Sequence, residues 1–166
     1  LDIIEDNVYD HNVVYINDSA GNFTTAINFG TGSNITYSVA VGDLDGDGDL
    51  DIIATAIMAT PRVYINQGHN TSISVALRDE LGNRFCIGCK VTVNYGDHQH
   101  QLKELKLSGG FMSFDDPALI FGLSSDKQID KLSIQWADGS TSEITQPLQV
   151  GFRYLITRAS DKKAGH

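Results

Sequence analysis

The chain has 166 residues, 41% of them hydrophobic and 20% charged, enough for one ordinary domain or two small ones with modest cores and too apolar for wholesale disorder. Asp and Glu outnumber Lys and Arg by 21 to 12, and the net charge of −9 gives a surface that repels nucleic acid and anionic membranes. No run approaches the roughly 18 apolar residues of a spanning helix, and two cysteines are too few for a disulfide scaffold.

The first element is an apolar strand, Leu1-Asp2-Ile3-Ile4, with no basic-then-apolar leader ahead of it. A second strand follows at Val14-Tyr15-Ile16-Asn17. Both recur at an offset of 49 residues, as Leu50-Asp51-Ile52-Ile53 and Val63-Tyr64-Ile65-Asn66. Two matches at one offset without a gap mark an internal repeat. In the second copy an alternating strand, Tyr37-Ser38-Val39-Ala40-Val41, and an acidic loop precede Leu50; nothing equivalent precedes Leu1. The expectation is a chain that opens in mid-repeat, its missing strand supplied by an upstream segment or a neighbouring molecule, since a bare edge invites association. Four Asn-x-Ser/Thr sequons lie in the first 72 residues, at Asn17, Asn22, Asn34 and Asn70. They are candidate N-glycosylation sites and imply a secretory route.

The acidic loop runs Asp43-Leu44-Asp45-Gly46-Asp47-Gly48-Asp49-Leu50-Asp51. Alternate carboxylates converge on one point only if the backbone curls tightly, and Gly46 and Gly48 permit that curl. Hard oxygen donors at this density suit Ca2+, which takes six to eight oxygens. Side-chain ligation is expected from Asp43, Asp45, Asp47 and Asp51, and a backbone carbonyl from Asp49. An EF-hand is excluded, because the flanks Val39-Ala40-Val41 and Ile52-Ile53-Ala54 read as strands and the twelfth position is Thr55 rather than Glu. The span Val41 to Ile53 followed by Val63-Tyr64-Ile65-Asn66 resembles an FG-GAP/VCBS repeat. That resemblance implies a blade of a calcium-bearing β-propeller of the integrin α-subunit type, with the cation stiffening the turn between two strands.

Beyond about residue 70 the 49-residue echo stops, but the pattern stays β. Ile73-Val75-Leu77 and Val91-Val93-Tyr95 alternate; a turn at Gly96-Asp97 leads back through Leu102, Leu105 and Leu107; then come Leu119-Ile120-Phe121, Leu132-Ile134-Trp136, a turn at Asp138-Gly139, Ile144 and Tyr154-Leu155-Ile156. Such strands with Gly and Asp turns predict a small antiparallel sandwich or barrel. Trp136, Phe121, Phe111 and Tyr154 are expected in its core rather than on a sugar-binding platform. Cys86-Ile87-Gly88-Cys89 leads into a strand, not a helix, which argues against a thioredoxin-type site. A structural disulfide across a tight turn is the first reading, two packed free thiols the second. His98 and His100 share a strand face that could hold a transition metal, but with no third ligand nearby exposed hairpin-tip histidines are the first reading; Asp115-Asp116-Pro117 could add to a cation site or form a turn in which Pro ends a strand.

Asn83 to Val91, Gly110-Phe111-Met112-Ser113, Ile120-Phe121-Gly122-Leu123 and Ile134 to Gly139 occur in the order seen in the ASPIC/UnbV domain. This resemblance to the cartilage acidic protein family departs from the usual pattern at Cys86 and Cys89, where small residues are usual, and at Ala137, where proline is. The expected architecture is therefore all-β: a partial β-propeller segment at residues 1–70, a small β-sandwich or barrel at 71–158 and a polar tail at 159–166. The expected role is a non-enzymatic, calcium-binding extracellular module for adhesion, matrix interaction or assembly. Its partners would be a protein or glycan at the cell surface or matrix, or other copies of itself, with neither nucleic acid nor a membrane span. Self-assembly by strand complementation is the alternative, and a calcium-stabilised carbohydrate-active enzyme the weakest reading. No triad, phosphate loop or nucleophile elbow is present in the sequence.

Overall fold

The computed structural model describes residues 2–18, 20–31, 35–68, 72–96, 98–107, 109–123 and 126–159. All thirteen regular elements there are strands: β1 (Ile3–Glu5), β2 (Asn12–Ile16), β3 (Thr25–Phe29), β4 (Thr36–Gly42), β5 (Asp51–Ala56), β6 (Ala59–Tyr64), β7 (Ser72–Asp79), β8 (Lys90–Tyr95), β9 (Gln99–Glu104), β10 (Ala118–Gly122), β11 (Ile129–Gln135), β12 (Thr141–Ile144) and β13 (Phe152–Arg158). They form four sheets, in the orders β1-β2-β3, β4-β5-β6, β10-β7-β13 and β12-β11-β8-β9. The expected all-β class holds throughout.

Two compact units emerge. The first comprises Leu1–Gly42, Asp51–Ile65 and Ser108–Asp115; the second comprises Asp43–Leu50, Asn66–Leu107 and Asp116–His166. In the first unit the repeat read from the sequence is also a repeat of pairing register. Ile3 stands opposite Tyr15 and Ile4 opposite Val14; 49 residues on, Ile52 stands opposite Tyr64 and Ile53 opposite Val63. In both hairpins the β-branched and aromatic side chains that favour a pleated strand occupy the same cross-strand positions. The third strand breaks the symmetry: carried forward by the 49-residue period, β3 falls on residues 74–78, and these belong to β7, in a sheet of the second unit. Sheet β4-β5-β6 thus has β6 as its edge, and Pro61 and Arg62 on that strand discourage further pairing.

The apolar core is unevenly shared. Among the described residues Ala54 is the one buried apolar side chain of the first unit, while sixteen lie in the second. Ile73, Val75, Leu77 and Phe121 from sheet β10-β7-β13 face Val91, Val93, Leu132, Ile134 and Trp136 from and beside sheet β12-β11-β8-β9. This is the expected small sandwich, with each fully buried aliphatic side chain contributing roughly 1.5–3 kcal/mol. One pairing departs from the antiparallel expectation: β13 runs parallel to β7, from Phe152 opposite Ile73 to Arg158 opposite Asp79. Phe111 corrects another expectation. It is 62% exposed and lies outside the core, its ring edge-on to Tyr37 at 5.4 Å, whereas Phe121 and Trp136 are buried as expected and Tyr154 is packed at the core margin.

Candidate metal centre

The loop between β4 and β5 carries the densest charge in the molecule. Its shape follows from short side-chain-to-backbone bonds of the kind Asp makes in turns. Asp43 Oδ1 accepts the Gly46 amide at 2.8 Å, Asp45 Oδ1 the Asp47 amide at 3.2 Å and Asp47 Oδ1 the Asp49 amide at 2.9 Å. Gly46 and Gly48 sit at φ +83° and +92°, a region costly for any residue with a Cβ. The curl brings carboxylate oxygens of Asp43, Asp45 and Asp51 within 4.8 Å of one another. Two calcium–oxygen bonds set ligand atoms up to about 5 Å apart, so the cluster fits what one such ion spans. Asp51 is fully buried at the head of β5, and Asp49 is buried too, while Asp45 and Asp47 are exposed. Of the four carboxylates expected to converge, Asp43, Asp45 and Asp51 do; Asp47, whose Oδ1 accepts the Asp49 amide, is not among them.

Without a cation, neighbouring carboxylates at this spacing repel by on the order of 1 kcal/mol per pair even in the full dielectric of water. Burial of Asp51 sharpens that cost, because an ionised carboxylate away from water needs compensating charge or donors. The donor set is all hard oxygen, which suits Ca2+ or Mg2+ over softer metals, and the uneven, backbone-curled geometry suits the larger, more tolerant ion.

One contact to this loop had no signal in the sequence. The Ser72 hydroxyl, at the start of β7, donates to the Gly48 carbonyl. Gly48 approaches so closely that a Cβ there would lie 2.9 Å from Ser72 Oγ, whereas a Cβ at Gly46 would meet nothing within 4 Å. In the sequence Ser72 closes the Asn70 sequon and opens the second β region, with nothing to link it to the acidic loop.

The remaining candidates are structural where described. Cys86 and Cys89 are free thiols, both fully buried, in place of the disulfide that was the first reading. They flank a turn closed by the Cys89 amide on the Cys86 carbonyl at 2.9 Å. Burial, then the hydrogen bond and charge of Cys89, push the Cys86 thiol up to about 12, the opposite of a reactive cysteine. His98 and His100 are exposed at the β8–β9 hairpin and join no cluster of metal-ligating side chains among the described residues. Asp115 accepts the Val41 amide at 3.0 Å, and Asp116 pairs with Arg153 at 3.1 Å. Asn17 and Asn22 lie in a polar turn, where Asn17 Oδ1 accepts the Gly21 amide and Asn22 Nδ2 donates to Asp18; Asn34 and Asn70 lie outside the described residues.

The first unit carries two hollows. A recess of about 20 Å3, room for one water, is lined by polar groups including Asn12, Thr36, Arg62 and Tyr64. An open groove of about 420 Å3 lies among Tyr37, Ser38, Ala40, Ile53, Thr55, Met112, Ser113 and Phe114, a lining without one ionisable acid or base at neutral pH.

The family described as ASPIC and UnbV matches residues 79–163, the FG-GAP-like repeat matches residues 2–54 and the FG-GAP repeat matches residues 36–75. No curated protein matches the chain. FG-GAP repeats are typical of extracellular proteins, and no helix among the described residues is long and apolar enough to cross a membrane.

Proposed function

Because this chain belongs to the ASPIC and UnbV family and carries FG-GAP repeats ahead of that domain, we propose that it is a calcium-binding extracellular adhesion, matrix-interaction or assembly module. The ion is structural and the protein non-catalytic in this reading. The observation that carries it is the convergence of Asp43, Asp45 and Asp51 within 4.8 Å, in a loop curled by two glycines in the left-handed region. Calcium would be held by these three carboxylates and by backbone oxygens of the loop, cancelling their repulsion and fixing the β4–β5 turn. At a dissociation constant of about 0.1 mM, about 1 mM extracellular ion adds ~1.4 kcal/mol to the fold. The adhesive contact is made by the surfaces so held, to a protein or glycan outside the cell. The experiment is thermal melting in excess chelator and again with millimolar calcium. The expected result is a higher Tm with calcium, lost in Asp45→Ala. No shift, together with an elemental analysis that finds no bound metal, refutes the reading.

A second reading, assembly of copies, is favoured by one observation: the sheets of the first unit bury a single apolar side chain and leave Ile3, Ile27, Tyr37 and Val63 exposed. Exposed apolar side chains on sheets with so little core of their own are available to a second copy. Light scattering decides it, since a species of 18.1 kDa at all concentrations removes it.

A further inference from the structure

Ser72 lies outside the acidic motif, yet it is bonded to its backbone. We infer that Ser72 is a positioning residue of the acidic loop: its hydroxyl holds the Gly48 carbonyl, sets the curl in which the aspartates converge, and ties occupancy of the loop to the stability of β7. The inference rests on the calcium reading and deepens it.

The mounting of Ser72 makes this contact a rigid one. Ser72 is buried, stands opposite Gly122 in the β7–β10 pairing, and accepts the Gly151 amide on its own carbonyl at 2.6 Å. Its hydroxyl therefore projects from a strand fixed on one side by β10 and on the other by the residue leading into β13. The loop residues 43–50 group with this same unit by their contacts. Gly48 is the point of closest approach, at φ +92° and with no room for a Cβ. A loop anchored at Gly48 spends less of its time in shapes that scatter the carboxylates, so an ion binds it more tightly. The coupling is reciprocal: whatever Ser72 adds to ion affinity, the ion returns to the Ser72 contact and the strand that bears it.

The test uses the whole chain, with calcium as the probe. Isothermal titration gives the affinity of the native protein, Ser72→Ala and Ser72→Thr, and hydrogen exchange follows the amides of Ile73 to Leu77 with and without calcium. Loss of one neutral hydrogen bond weakens binding about three- to tenfold, so Ser72→Ala is expected in that range while Ser72→Thr, which keeps the hydroxyl, stays near the native value. Calcium should slow exchange along β7 in the native chain and slow it less in Ser72→Ala at saturation. A native chain that binds calcium without slowing β7 exchange overturns the inference and leaves the calcium reading standing, and needs no variant to fold. Equal calcium affinity in Ser72→Ala and native protein has the same meaning. A native chain that takes up no calcium removes both.

Discussion

Gly46 and Gly48 have the same kind of backbone and differ by one neighbour, so replacing each with alanine isolates that neighbour. Both sit in the left-handed region, at φ +83° and +92°. Alanine there costs about 1–2 kcal/mol, offset in part by the ~0.4–1 kcal/mol gained from a stiffer unfolded chain. Gly46→Ala, whose Cβ meets nothing within 4 Å, should therefore cost about 1 kcal/mol. Gly48→Ala adds a Cβ 2.9 Å from Ser72 Oγ, which must displace the hydroxyl and break its bond to the Gly48 carbonyl, a further ~1 kcal/mol. The expected gap between the two variants is about 1 kcal/mol. It should close in a Ser72→Ala background, where the obstructing oxygen is gone. Urea unfolding followed by the emission of Trp136, the single tryptophan and buried in the second unit, reads these differences directly. Equal penalties at the two glycines, or a gap that survives Ser72→Ala, would refute the account of how the loop is held.

Three other outcomes follow from the second unit. Arg158 grips Asp79 through Nε at 3.0 Å and a second nitrogen, reaches Asp138 at 2.9 Å and lies 4.7 Å over the Trp136 ring; Ser140, with Arg158 adding, holds the Asp138 carboxyl down at about 2, and Arg158 lowers that of Asp79. Groups depressed in the fold stabilise it above their unfolded value of about 3.9 and lose that stabilisation as pH falls through the folded value, so the urea midpoint should drop between about pH 4 and pH 2, and Arg158→Met should lower it at neutral pH and flatten the acid limb. Phe121→Ala empties a fully buried site in the core and should cost about 3–5 kcal/mol by the same unfolding assay. A maleimide should label neither cysteine in the native protein and both after denaturation, since the thiols are free and buried; two unreactive sulfurs in urea would show a disulfide instead.

Legibility in the sequence tracked whether a feature is periodic or local. The 49-residue repeat was visible because identical residues recur, and it returned as identical hairpin registers. The alternation of Val91 with Val93 and of Leu132 with Ile134 marked core-facing positions because a strand has a period of two. The acidic loop announced itself through Asp and Gly spacing, but spacing alone does not say which oxygen points inward, and Asp47 is turned to the Asp49 amide. Phe111 misled because a large apolar side chain is ordinarily read as core; it lies in the segment Ser108–Asp115, which groups with the sparsely filled first unit rather than with the sandwich. Ser72 and the parallel partner of β7 were illegible for another reason: both are long-range pairings, and a single sequence carries no mark of which distant strand a given strand will meet.

That parallel pairing also bears on the order in which the protein can be made. Asp79 and Arg158, joined across the ends of β7 and β13, are 79 positions apart in the chain. Pairings over such distances form late, because the loop must close before the contact repays it. During synthesis β7 emerges before both of its neighbours, and once β10 has been made its other edge still waits for β13. At the ~5–20 residues per second of translation, the gap lasts on the order of 4–16 s, an interval in which an apolar strand edge stands open to whatever binds nascent chains.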